Sequence, residues 1–133
     1  MTPVEQFLDL LGQQGQLRAQ GKKTIFHYDF SAGAMICFKT LRIADQIRLH
    51  NISVETPKHG VGTELMKLVC GLADQYGVVI ELTALPFGML GGRIGVSKLI
   101  TWYRSFGFAL NDDFYEDQVV DISQGLEMIR YPC

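Results

Sequence analysis

The stretch Val54-Glu55-Thr56-Pro57-Lys58-His59-Gly60-Val61-Gly62-Thr63 decides how this chain is read. A strand-like run stops there at a glycine turn, and an amphipathic helix begins at once. The first four N–H groups of a helix lack intrahelical partners, and the aligned peptide dipoles place about half a positive charge at that end. The backbone amides of His59, Gly60, Val61, Gly62 and Thr63 therefore converge on one spot, where the glycine pair lets a phosphate approach the main chain without a metal. A plain strand-to-helix turn is the alternative reading. No Gly-Lys-Ser or Gly-Lys-Thr follows and the spacing is not Gly-x-Gly-x-x-Gly, so nucleotide hydrolysis and hydride transfer lose support.

Downstream, Leu65, Met66, Val69, Leu72, Ala73 and Tyr76 form a broad apolar stripe at helical spacing, and Gly77 stops the helix. Val78 to Leu85 reads as a buried strand, completing a strand, helix, strand unit of crossover length. Pro86 closes it. The glycines Gly88, Gly91, Gly92 and Gly95 argue for a surface loop from Phe87 to Val96, with Arg93 at its middle. Ser97 is expected to cap a further helix with Leu99, Trp102, Tyr103 and Phe106 on one face and Gly107 at its end. The tail reads as two strands, about Phe114 to Asp121 and Leu126 to Tyr131, joined by Ser123-Gln124-Gly125.

Upstream, Thr2-Pro3-Val4-Glu5 is a capping box with proline at the first helical position, and Val4, Phe7, Leu8 and Leu11 follow at helical spacing, which predicts a helix from Pro3 to about Gln14. Phe26, Tyr28 and Phe30 alternate with His27 and Asp29 as a strand. A second strand is expected from Met35 to Arg42 and a third from about Gln46 to Val54, with His50, Ile52 and Val54 on one face and Leu49, Asn51 and Ser53 on the other. These read as an antiparallel meander, so the expected fold class is α/β (α+β) with a mixed, mainly antiparallel sheet flanked by helices.

The chain has 133 residues, 47% of them hydrophobic and 20% charged, which fits one domain over 1–133. The net charge is −2, without the basic excess that phosphate-backbone binding needs, so nucleic acid is not expected as a partner. Cys37, Cys70 and Cys133 show no Cys-x-x-Cys pattern, which argues against a zinc knuckle or a disulfide framework and suits a reducing cytoplasm. The methionines are too scattered for a metal site. No apolar run reaches membrane-helix length, and no secretion signal is visible.

Two motifs on this layout, Gly60-Val61-Gly62-Thr63 opening a helix after a strand and Trp102-Tyr103-Arg104-Ser105-Phe106-Gly107-Phe108 read as Tyr-x-x-x-Gly-Phe, resemble the GNAT superfamily of N-acetyltransferases. The resemblance covers most of the chain from about Thr24, with its specific part between Arg48 and Phe108. It implies acetyl-CoA as cosubstrate, transfer of the acetyl group to an amine, and a homodimer as a plausible assembly. It also implies that two parallel strands splay to admit the thioester, with the N–H of Val54 towards the thioester oxygen. The family's phosphate turn usually opens with Arg or Gln where this chain has Pro57, which offers neither an N–H nor a charge. Lys58 and His59 stand beside it and can supply the charge.

Amide formation from a thioester needs a neutral amine, a polarised carbonyl and a proton for the departing thiolate. Tyr103 resembles the tyrosine that many family members place beside the coenzyme's sulfur as general acid; otherwise it is a core aromatic. Glu55, at the end of the third meander strand, is the candidate base or a solvated strand-end carboxylate. His50 on the same strand is a second candidate, since an imidazole suits proton removal near neutrality. Glu81, among Val, Ile and Leu, is expected to be either partnered or part of the acceptor site. Cys70 falls within a helix and is not expected to carry an acyl group.

Overall fold

A computed structural model describes residues 1–14, 16–21, 24–30, 33–53, 60–85, 96–115 and 125–133. The elements are α1 (Pro3–Gln14), β1 (Gln16–Gly21), β2 (Ile25–Asp29), β3 (Met35–Thr40), β4 (Gln46–Ser53), α2 (Val61–Tyr76), β5 (Val79–Ala84), α3 (Val96–Arg104), β6 (Ala109–Leu110) and β7 (Leu126–Arg130). They build a seven-stranded sheet in the order β1-β2-β3-β4-β5-β7-β6. Every neighbouring pair is antiparallel except β4 with β5, which the α2 crossover joins in parallel. The mixed, mainly antiparallel α/β class is as expected.

Sequence chemistry accounts for the helix ends. Thr2 and Glu5 exchange the two bonds of the capping box, Thr2 N to Glu5 Oε1 at 2.9 Å and Glu5 N to Thr2 Oγ1 at 3.1 Å. At the end of α2, Gly77 turns left-handed at φ 69°, and the chain doubles back so that Val78 N donates to Ala73 O at 2.8 Å. Val4, Phe7, Leu8 and Leu11 of α1 and Leu65, Met66, Val69, Leu72 and Ala73 of α2 are buried over one sheet face, which offers Tyr28, Ile36, Phe38, Ile47, Leu49, Ile80, Leu82 and Met128. The Phe7 and Phe38 rings meet edge to face at 5.4 Å. Each large side chain buried completely in this way contributes about 1.5–3 kcal/mol.

In the middle of the sheet, consecutive β3 residues Cys37 and Phe38 face Asn51 and Leu49, leaving His50 as an extra residue on β4. This bulge shifts the phase of β4 by one. Leu49 therefore shares its face with Ile52, through their partners Phe38 and Ile36, and not with Asn51 and Ser53 as strict alternation predicts. The β4–β5 ladder runs from Gln46↔Val79 to Leu49↔Leu82, and beyond it the ends of both strands continue unpaired with each other. The two parallel strands part at the bulge.

One strand is added and two other expectations are corrected. Gln16–Gly21 forms an additional strand, β1, on the sheet edge. Ser97 lies inside α3 and not at its cap, its carbonyl accepting the Thr101 hydroxyl at 3.0 Å. Within the described part of the tail, the strand before β7 is Ala109–Leu110, while Phe114 sits in a turn where its N–H reaches Asn111 O at 3.1 Å, as the turn-forming run Asn111-Asp112-Asp113 favours. Residues 116–121 of the expected strand, the Phe87 to Val96 loop except Val96, and Ser123-Gln124 lie outside the described residues.

Gly125 opens β7 at φ +86°, where an added Cβ would lie 2.8 Å from Thr83 Cγ2 and 3.0 Å from Leu85 Cβ. Left-handed strain and overpacking together are expected to cost Gly125→Ala about 3 kcal/mol. A urea titration reads this as a lowered midpoint at unchanged slope; an unshifted midpoint would refute it.

Candidate active site

The start of α2 is built as a donor surface. Gly60 is its N-cap residue, left-handed at φ 72°, with no side chain of its own to cap the first turn. The carbonyl of Gly60 accepts Glu64 N at 3.0 Å, so the helical ladder starts there and the N–H groups of Val61, Gly62 and Thr63 precede it. Glu64 is exposed and paired with Lys67 at 3.5 Å. Val61, Gly62 and Thr63 are all half-buried. Val54, Glu55, Lys58 and His59 lie outside the described residues.

A contact absent from the sequence reading ties α3 to this turn: Trp102 Nε1 donates to Thr63 Oγ1 at 3.2 Å. Tyr103, the next residue, is buried at 6% exposure. Its ring lies 5.1 Å from Trp102 and 5.6 Å from Phe108, both centroid distances. Burial pushes its phenol up to about 12, so the group is a neutral O–H donor at neutral pH. The structure thus brings Tyr103 and Thr63 to neighbouring elements joined by a hydrogen bond. His50 is exposed and stands on the bulge where β4 leaves β5.

The sheet face opposite the helices carries a cluster that only register assembles. Arg48 Nη1 donates to Glu81 Oε1 at 3.0 Å, and its Nη2 donates to the two oxygens of Glu127 at 3.0 and 3.2 Å. Gln46 Nε2 donates to Glu81 Oε2 at 2.9 Å, and the Thr83 hydroxyl donates to Glu127. Glu81 is therefore partnered, and the cluster binds β4, β5 and β7 together just before the strands part. Among the described residues no group of three His, Cys, Asp or Glu is disposed to hold a metal ion, and no helix is long and apolar enough to cross a membrane.

A second cluster joins α2, β7 and the end of α3. Arg130, at 5% exposure, pairs with Asp74 through Nη1 to Oδ1 at 2.8 Å and Nη2 to Oδ2 at 2.9 Å. The Arg130 side chain holds the Asp74 carboxyl below the usual carboxylate range. Sequence reasoning passed over Arg130, although a signal was present: Leu126, Met128 and Arg130 alternate, which places an arginine on the apolar face of β7. Cys70 is buried, and burial pushes its thiol up to about 11, which disfavours the nucleophilic thiolate.

These shifts set a pH prediction. Tyr28 and Tyr103 ionise near 12 when folded against an ordinary 10, and Cys70 near 11 against 9, all through burial. The unfolded chain therefore releases these protons first. Stability contributed by the neutral groups is complete below pH 9 and falls as pH rises towards 12, by on the order of 2 kcal/mol for each phenol. Guanidinium midpoints from pH 7 to 11 should stay level to about 9 and then decline; a level profile to 11 contradicts the burial of these groups.

The two parallel central strands part at a bulge and are joined by a helix that opens on a glycine N-cap, and the chain has the fold of the GNAT superfamily of N-acetyltransferases. Among solved structures it is similar to the anti-CRISPR protein AcrVA5, with 26% identity and a TM-score of 0.59 over 80% of this chain and 97% of that one. It is similar in fold to the ribosomal-protein-S18-alanine N-acetyltransferase of Escherichia coli, with 17% identity and a TM-score of 0.54 over 94% of this chain and 85% of that one. The PaiA N-acetyltransferase of Thermoplasma acidophilum, solved in complex with coenzyme A, shares the fold at 14% identity and a TM-score of 0.50 over 80% of this chain and 59% of that one. No family model and no curated protein matches the sequence.

Proposed function

We propose that residues 1–133 form one acetyl-CoA-dependent N-acetyltransferase domain that works in the cytoplasm and moves the acetyl group directly to a primary amine in a ternary complex. The observation that carries this reading is the conjunction of the opening between β4 and β5 with the left-handed glycine N-cap that starts α2. The main-chain amides of Gly60, Val61, Gly62 and Thr63, with Lys58 and His59, hold the coenzyme's diphosphate, and the N–H of Val54 faces the thioester oxygen. Glu55 or His50 takes a proton from the acceptor ammonium; the place of His50 on the bulge supports its candidacy. The amine nitrogen bonds to the carbonyl carbon as the carbon–sulfur bond breaks. The electron pair leaves with sulfur, and Tyr103 donates the proton that sulfur receives.

A second reading, a non-catalytic acyl-CoA-binding or protein-interaction domain with the same fold, is favoured by Pro57, which has no N–H to give. Incubation with isotopically labelled acetyl-CoA, followed by mass spectrometry of an amine panel and of lysate proteins, separates the two. Label on an amine supports transfer. Calorimetric binding of coenzyme A with no labelled acceptor supports the binding module, and absence of binding overturns both. Because an anti-CRISPR protein is among the similar structures, purified CRISPR-associated proteins belong in the panel.

A further inference from the structure

Among the described residues Arg130 is the buried charged side chain, and the end of α3 is arranged around it. Beyond its bidentate pair with Asp74 of α2, its Nε donates to the carbonyl of Phe106 at 2.6 Å, and Asp74 Oδ1 accepts the N–H of Cys133 at 3.0 Å. Phe106 N and Phe108 N in turn both donate to the carbonyl of Tyr103, at 3.0 and 3.3 Å, and the Phe108 ring packs on the Tyr103 ring. Between them Gly107 turns at φ +97°, and a Cβ there would lie 3.4 Å from Arg130 Nε and 3.8 Å from its Cγ. The left-handed turn is what requires the glycine, and the Arg130 side chain lies in van der Waals reach of it.

We propose that Arg130 is a positioning residue for Tyr103: clamped by Asp74, it fixes the Phe106-Gly107-Phe108 turn and so the phenol. Replacing a buried ion pair with apolar groups of similar volume is often neutral for stability, so what this pair adds is geometry. Together with the Trp102–Thr63 bond it ties the end of α3 to both the first and the last turn of α2. The proposal rests on the reading of Tyr103 as proton donor, and its test separates the two.

Trp102 is the sole tryptophan of the chain and touches Tyr103, Phe106 and Thr63, so its fluorescence reports the seat of α3 independently of turnover. Arg130→Met and Asp74→Asn are each expected to lower kcat about tenfold, with the KM for acetyl-CoA and the coenzyme A Kd within about twofold of the parent, and to shift Trp102 emission. Arg130→Lys, which keeps the charge and loses the fork, should fall between. Unchanged kcat and emission in the folded variants, or a raised KM at unchanged kcat, overturns the proposal. Should either single variant fail to fold, the Arg130→Met, Asp74→Asn double variant decides, since it leaves no buried charge unpaired. If the parent protein modifies no amine, the acetyltransferase reading falls, and the emission of Trp102 still tells whether Arg130 seats α3.

Discussion

Tyr103→Phe is expected to lower kcat for acetyl transfer about a hundredfold while leaving the coenzyme A Kd within about twofold. The substitution removes one oxygen from a buried ring that packs against Trp102 and Phe108, so the aromatic contacts and the fold stay in place. What goes is the donor. Burial holds the phenol neutral up to about 12, so the parent keeps this proton over the whole working range, and the decline of kcat with pH that phenol ionisation causes should begin only above the ordinary 10. Stopped assays of thiol release, paired with calorimetry of coenzyme binding, measure the two effects separately. Equal kcat in the two proteins would remove Tyr103 from the chemistry and leave it as a core aromatic.

Gly62→Asp addresses the other half of the site. A carboxylate in the first turn of α2 suits the helix, because the positive end of the dipole favours it, so the thermal midpoint should hold. The same carboxylate would stand where the proposal seats a diphosphate. Repulsion in this half-buried turn, added to loss of close backbone approach, should raise the coenzyme A Kd about a hundredfold or more. The effect should weaken in high salt, since part of it is long-range charge repulsion. Binding as tight as in the parent would place the diphosphate elsewhere.

The elements legible in the sequence are those whose causes are local. The capping box at Thr2 and Glu5 starts α1 in the structure as it does on paper, and the stripe from Leu65 to Tyr76 with its stop at Gly77 marks the body and the end of α2. β1 was illegible because Gln16-Leu17-Arg18-Ala19-Gln20-Gly21 has little alternation of its own and exists through its ladder with β2. Ser97 has the right residue type for a cap but lies one residue inside a helix that starts at Val96. The bulge at His50 has no signature in one strand, since an extra residue is defined only against the partner. The motif Tyr-x-x-x-Gly-Phe was visible, whereas the left-handed turn of its glycine and the Arg130 side chain packed against that turn were not.

By itself the sequence determined the helices, the capping box of α1, the glycine stop of α2, the crossover unit around Gly60 to Thr63 and the mixed sheet, because capping, periodicity and glycine conformation act over a few neighbouring residues. The tertiary structure alone decided where β4 and β5 part, that Glu81 is spoken for by Arg48 and Gln46, and that Trp102 and Arg130 bind α3 to the two ends of α2. Those contacts join residues tens of positions apart, and their partners are selected by strand register and helix docking, which no local pattern encodes.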